Sequence, residues 1–288
     1  MKKKLICTIS ILVLAAALCS GCSTAPFKTT DSFASYYAKN KEEVGSDLKG
    51  MASDLAVLSD SEATDPNYQS NDYADLLIND STNEVLESYH CFDRLYPASI
   101  TKVMTALLTL EHGNMDDEIT LKHDINLTEN GAVISTLTKG DTVTVGQVFH
   151  TMLIKSANDC AVILAEYVAG SESKFIDMMN AKAKELGATH THFVNPNGLH
   201  DNNHYTTAYD LYLIFKEAVK YDTFVDTVSS KDYTMTYTTP KKTQINEYMQ
   251  STNYYLLNEF PVPEGVVMYG GKTGTTSMAK SCLILMTK

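Results

Sequence analysis

Pro97-Ala98-Ser99-Ile100-Thr101-Lys102, "PASITK", decides how the rest of this 288-residue chain is read. It stands directly ahead of an apolar run, "VMTALLTL", Val103 to Leu110. One reading is a plain helix start, with Pro97 near the first turn, Ser99 as a cap and Lys102 in water. The other is a nucleophile and its base. Residues three apart on a helix are neighbours, so Ser99 Oγ and Lys102 Nζ can share a proton. S-x-x-K is short enough to arise by chance, so the surrounding sequence has to choose.

Composition narrows the choice of function. Hydrophobic residues make up 44% and charged residues 20%, ordinary values for a chain with a real core. The formal net charge is −12, or −15 once Lys2, Lys3 and Lys4 are removed with a leader. After those lysines no basic run follows, so nothing is present to hold a phosphate backbone, and nucleic acid is excluded as a partner. Arg94 is the only arginine, which argues against a site built on arginine forks.

The first residues are targeting sequence. "MKKKLICTISILVLAAALCSGC" has a basic start, an apolar stretch from Leu5 to Leu18 and a small-residue end. The apolar stretch is short for a membrane span. Residues 1–21 are read as a signal peptide. "LCSGC" resembles a bacterial lipobox, with Cys19 where leucine is usual, and predicts lipid attachment at Cys22. The domain would then sit outside the cytoplasm, on the outer face of the cytoplasmic membrane. Residues 22–70 have linker composition, as in "DSEATDPNYQSND", with weak helical periodicity between Phe33 and Leu58. As a coil, such a tether reaches on the order of 40 Å. Cys91, Cys160 and Cys282 lie in apolar contexts without C-x-x-C spacing, so they are read as buried thiols, not as a disulfide framework or metal site.

From residue 71 the pattern is that of one domain. "YADLLIND" and "EVLESYH" flank "DSTN" and predict a hairpin. "SITKVMTALLTLEHG" predicts a helix, and three more lie between Val145 and Gly187. "TTAYDLYLIFKEAVKY" is a further amphipathic helix. "DYTMTYTT", "VVMYGGKTGTT" and "SCLILMT" are strands. Strands at both ends with helices between predict an α+β fold whose sheet is closed by the two chain ends.

Two more short motifs raise the value of the first. Ser156-Ala157-Asn158 falls at a junction between two predicted helices, 57 residues after Ser99. Lys272-Thr273-Gly274 falls on a predicted strand, 116 residues further on. Alone, the first is usually a turn and cap and the second a strand end. In this order, each in suitable local structure, they form the S-x-x-K, S-x-N, K-T-G set of β-lactamases and penicillin-binding proteins.

With those motifs, "RLYPASITKVMTALL", "LIKSANDCAVILAE", "THFVNPNGLHDNNHYTTAYDL" and "GGKTGTTSMAKSCL", the chain resembles the serine D-alanyl-D-alanine carboxypeptidases from about Tyr73 onward. The resemblance implies an antiparallel sheet flanked by helices plus an all-helical lobe, with the active site between. It implies that residues 71–288 remove the terminal D-alanine from peptidoglycan stem peptides through an acyl-enzyme, and that β-lactams bind covalently. No cofactor is implied. Ser99 would be the nucleophile, favoured by the positive end of its helix, and Lys102 its base. A lysine serves as base only if burial or a nearby like charge lowers its pKa, and Lys272 would supply that charge. Ser156 would relay a proton to the leaving amine. Asn158 would hold the substrate peptide, while Thr273, Gly274 and Thr275 would line its strand and carboxylate. The resemblance puts the oxyanion hole at the Ser99 and Thr275 N–H groups and the substrate along the Val267–Thr275 edge.

Three rivals are weighed on residues. Class A β-lactamases need a glutamate after the S-x-N motif, and "THFVNPNGLHDNNHYTT" has none. A zinc peptidase could use His190, His192, His200, His204 and Asp201, but H-E-x-x-H is absent and the cluster lies in a Gly/Asn/Pro-rich loop, so no metal is expected. A non-catalytic penicillin-binding scaffold is the third. It is kept because relatives continue past "SCLILMT" into a strand lying inside the sheet, which predicts an incomplete sheet here. Lys280 also stands where relatives usually have glycine.

Overall fold

The computed structural model describes residues 55–58, 73–127, 129 and 131–288. The expected signal peptide, Cys22 and nearly all of the expected tether lie outside the described residues. The chain divides into two compact units. One contains Asn79–Val85 with residues up to 62; the other contains Ala63–Ile78 and Leu86–Lys288, and holds every candidate site residue of the domain.

The second unit is built on a helical core. A 3-10 turn, Ala98–Thr101, runs directly into α1, Lys102–His112. Pro97 stands immediately before that turn. Every residue of α1 from Lys102 to Thr109 is buried, because α2 (Val145–Ile154), α3 (Asn158–Ala169), α4 (Glu172–Glu185) and α5 (Ala208–Ala218) all pack on it. A helix covered on all sides reads as continuously apolar, which is the pattern of "VMTALL". The helix starts are chemically marked. Thr144 and Gln147 form a capping box on α2, while Ser171 and Thr207 cap α4 and α5. Gly170 ends α3 in the left-handed conformation. A short α6, Asp222–Val228, follows α5.

The strands form three antiparallel sheets. β1 (Asp75–Asn79) and β2 (Glu84–Tyr89) make the first, as the hairpin reading predicts. β3 (Glu118–Thr120), β4 (Thr142–Thr144), β5 (Asp232–Thr238) and β6 (Gln244–Gln250) make a four-stranded sheet in that order. β7 (Met268–Thr276) and β8 (Lys280–Thr287) make the third. The α+β architecture agrees with the sequence reading, with two differences. β3, β4 and β6 were not expected. And among the described residues no ladder joins β1–β2 to β7–β8, which agrees with the expectation of an incomplete sheet and not with that of a sheet closed by the two chain ends. Leu77, Leu86 and Leu283 are exposed on these small sheets, because neither hairpin alone covers both of its faces.

β7 is positioned by contact with the 3-10 turn. A Cβ on Gly274 would lie 2.9 Å from the Ser99 amide nitrogen and 3.1 Å from Ala98 Cβ, so only glycine lets the strand approach the Ser99 backbone this closely. The β7–β8 turn ends at Lys280, paired with Thr276, with φ of 60°. That left-handed geometry favours glycine and strains a lysine. Lys280→Gly is expected to raise unfolding stability by about 0.5–1 kcal/mol, measured by denaturant titration. A loss of stability would show that the Lys280 side chain stabilises the turn by more than its backbone strain costs.

Candidate active site

Ser99 lies in the 3-10 turn and Lys102 opens α1, so the three-residue spacing brings the two side chains together. Lys102 Nζ is 2.9 Å from Ser99 Oγ. Its other two contacts are to Asn158 Oδ1 at 2.8 Å and the Asn197 carbonyl at 2.6 Å. The lysine is fully buried, and Ser99 is half-buried. Asn158 is held in one orientation, because its Nδ2 donates to the Val133 carbonyl at 2.9 Å, which fixes Oδ1 toward the lysine.

This set of partners has a directional consequence. A neutral amine has two N–H bonds and one lone pair. Asn158 Oδ1 and the Asn197 carbonyl can only accept, so they take the two N–H groups. The lone pair is left facing Ser99 Oγ, where it can receive the hydroxyl proton. The lysine's pKa is driven well below the ordinary 10.5 by burial, and further by the Lys272 charge. Burial and the neighbouring charge thus both favour the neutral amine over the ammonium.

A second serine–lysine pair faces the first. Ser156 sits between α2 and α3 with φ of 64°. Lys272, in β7, donates to Ser156 Oγ at 3.0 Å and to the Thr273 carbonyl at 2.8 Å. Lys272 is buried, and burial lowers its pKa to about 7. Thr273 and Thr275 follow on the strand, the former half-buried and the latter exposed. Thr273 Oγ1 is 2.5 Å from Thr252 Oγ1, a partner with no sequence signal of its own. The structure thus joins Ser99, Lys102 and Asn158 by direct bonds and Ser156 to Lys272 by another, with Gly274 against the Ser99 backbone.

Sequence reasoning missed the backbone acceptors. The carbonyls of Asn197 and Val133 orient the lysine and the asparagine, and a carbonyl carries no side-chain signature. "NPNG", a turn around Gly198, was the available hint. A Cβ on Gly198 would lie 1.8 Å from the Ala98 carbonyl, so this loop lies flat on the serine's turn.

The histidines hold this loop in place. His204 Nδ1 accepts the Val194 N–H at 3.1 Å, so Nε2 carries the proton and donates to Thr101 Oγ1 at 2.7 Å. His192 Nδ1 meets the Asn203 carbonyl at 2.6 Å, and His200 packs edge-on to Tyr96. Among the described residues no three His, Cys, Asp or Glu side chains converge as metal ligands.

A helical lobe and an antiparallel hairpin, with two serine–lysine pairs where they meet, give the chain the α+β fold of the serine hydrolases. Residues 59–288 match the family model described as D-alanyl-D-alanine carboxypeptidase, peptidase S11, and the chain belongs to that family. It is 35% identical over 217 residues to the D-alanyl-D-alanine carboxypeptidase DacF of Bacillus subtilis, covering 74% of this chain and 53% of that protein. It is 32% identical over 213 residues to DacC of Escherichia coli, covering 71% of this chain and 50% of that protein. The chain thus spans about half the length of these relatives. The crystal structure of the Streptomyces K15 DD-transpeptidase superimposes with a TM-score of 0.66 at 29% identity, covering 73% of this chain and 82% of that one.

Burial pushes the His204 pKa from the ordinary 6.5 down to about 4. The unfolded chain therefore binds a proton that the folded one refuses. The stabilisation is complete above pH 6.5 and is lost as pH falls through about 4. Its full size is about 3 kcal/mol. Stability measured from pH 7 to 4 is expected to fall less steeply in His204→Gln than in the wild type. Identical slopes would show that His204 binds its proton equally well in the folded and unfolded chain.

Proposed function

We propose that this domain is a serine D,D-carboxypeptidase acting on peptidoglycan stem peptides. The observation that carries the proposal is the direction imposed on Lys102: both N–H groups are taken by acceptors and the remaining position faces Ser99 Oγ. Ser99 Oγ attacks the carbonyl carbon of the penultimate D-alanine, and its proton passes to Lys102. The tetrahedral oxyanion is held by the Ser99 and Thr275 N–H groups. The proton taken up by Lys102 is relayed through the Ser156 hydroxyl, polarised by Lys272, to the departing D-alanine amine, so that Lys102 and Ser156 both end as they began. The acyl group is now an ester on Ser99, and water completes the cycle by hydrolysing it. Lys272, Thr273 and Thr275 meet the substrate's terminal carboxylate, Asn158 its peptide and Gly274 the close strand approach. β-Lactams acylate the same serine and leave slowly, because no glutamate in residues 191–207 activates water as in class A β-lactamases.

The family is one of cell-wall enzymes outside the cytoplasm, in keeping with the leader sequence. We place the domain on the outer face of the cytoplasmic membrane, tethered through a lipid on Cys22. Among the described residues no helix is long and apolar enough to cross a membrane.

Penicillin is expected to add its mass to one serine, Ser99, and Ser99→Ala to abolish the adduct, as read by peptide mass spectrometry. A label on another serine that survives Ser99→Ala would overturn the assignment.

Lys272 gives a second test. Its pKa near 7 means that its charge is present below and lost above that value. For a peptide ending in D-Ala-D-Ala, KM is expected to rise as pH climbs through about 7 to 8. In Lys272→Ala, KM should be high throughout and lack this step. An alkaline step preserved in Lys272→Ala would assign the titration to another group.

A further inference from the structure

The Val133 carbonyl is the acceptor on which Asn158 depends, for it takes both the Asn158 backbone N–H, at 2.8 Å, and its Nδ2. Yet Val133 lies in an irregular stretch, Gly131–Leu137, "GAVISTL", whose Val133 and Ile134 side chains are exposed. A loop with its apolar side chains in water has no packing of its own to hold it. Something else must fix the carbonyl.

Two buried carboxylates hold the two residues that follow Ile134. Asp159, the residue after Asn158, accepts the Ser135 N–H at 2.9 and 3.0 Å and the Ser135 hydroxyl at 2.5 Å. Glu247, from β6, accepts the Thr136 N–H at 3.0 Å and the Thr136 hydroxyl at 2.6 Å. Glu247 also pairs with Lys155 at 2.5 Å, and Tyr237 donates to Thr136 Oγ1 at 3.2 Å. Asp159 is 5% exposed and Glu247 9%. Burial works against the Glu247 charge, but the Lys155 and Thr136 bonds outweigh it and hold its carboxyl below the ordinary range. Charged groups are buried at such cost only when their bonds are well made.

We propose that Asp159 and Glu247 are positioning residues that clamp Ser135 and Thr136, and so fix the Val133 carbonyl that orients Asn158 toward Lys102. The clamp explains two features of the sequence. Lys155 and Asp159 bracket the Ser156–Asn158 motif, so one short segment supplies both reacting groups and their fasteners. And β6 places a carboxylate at an inward strand position, where an apolar residue would be usual.

The kinetic part of this proposal rests on the acyl-transfer reading above; the structural part does not. The experiment compares the wild type with Asp159→Asn, Glu247→Gln, Ser135→Ala and Ser135→Thr. Hydrogen exchange of the 131–137 segment and of the Asn158 amide is measured, together with penicillin acylation of Ser99. In Asp159→Asn, Glu247→Gln and Ser135→Ala, exchange at these sites is expected to quicken at least ~10-fold while α1 stays protected, and acylation to slow by a similar factor. Ser135→Thr, which keeps the hydroxyl, should restore both. An effect of the Asp159 charge alone on Lys102 would appear in Asp159→Asn and be absent in Ser135→Ala, and would overturn the clamp. So would unchanged exchange in the two carboxamide variants, or a loosened loop with undiminished acylation. If the wild type itself is not acylated, the acyl-transfer reading falls, and the exchange results alone still accept or reject the hold on Val133 and Asn158.

Discussion

A lysine ammonium removed wholly from water is the constraint on which the rest of the site depends. Leaving Lys102 charged in that position would be costly, and leaving it uncharged and unpartnered would waste its donors. The chain resolves the conflict with two acceptors that cannot themselves donate, the Asn158 amide oxygen and the Asn197 carbonyl. What remains is one direction, and Ser99 occupies it. The surrounding architecture serves that arrangement. α1 is covered by four helices, so the lysine is dry. The Gly198 loop lies against the Ala98 carbonyl, and His204 ties Val194 to Thr101.

The second lysine completes the electrostatics. Lys272 has the same burial but a different set of partners, a serine hydroxyl and a carbonyl on its own strand. The Lys272 charge disfavours charge on Lys102. Burial lowers the pKa of both lysines, with the Lys272 charge acting further on Lys102. A substrate carboxylate would then meet the charged lysine and a scissile carbonyl the neutral one. The approach of β7 to the Ser99 backbone, permitted by Gly274, sets the distance between the two.

Much of this was legible in the sequence, and the legible part has a pattern. Helices announced themselves by caps and periodicity: Thr144 with Gln147, Ser171, Thr207 and Gly170. The side chains of the three motifs were legible because their spacing is chemical. β3 and β4, with three residues each, are too short to show alternation. β6 does alternate between buried and exposed, but with Glu247 inward and Tyr248 outward its polarity misleads any reading by hydrophobicity. The backbone carbonyls of Val133 and Asn197 were invisible for a different reason: their placement is tertiary, and the residue type does not matter to it. Strands at the two chain ends suggest a closed sheet, yet among the described residues β1–β2 and β7–β8 each pair only within their own hairpin. Strand type is local, but strand neighbours are decided by the whole chain.

The central claim is that Lys102 is a neutral amine aimed at Ser99. The most direct measurement is the side-chain amine titration of Lys102 by NMR on lysine-labelled protein, with the resonance assigned through Lys102→Arg. The expected result is a Lys102 resonance that changes from the neutral-amine to the ammonium position at a pH well below the ordinary lysine value of 10.5, with Lys272 titrating separately near 7. An ammonium resonance for Lys102 that persists until about pH 10 would contradict the account, because the lysine would then hold no lone pair to receive the Ser99 proton.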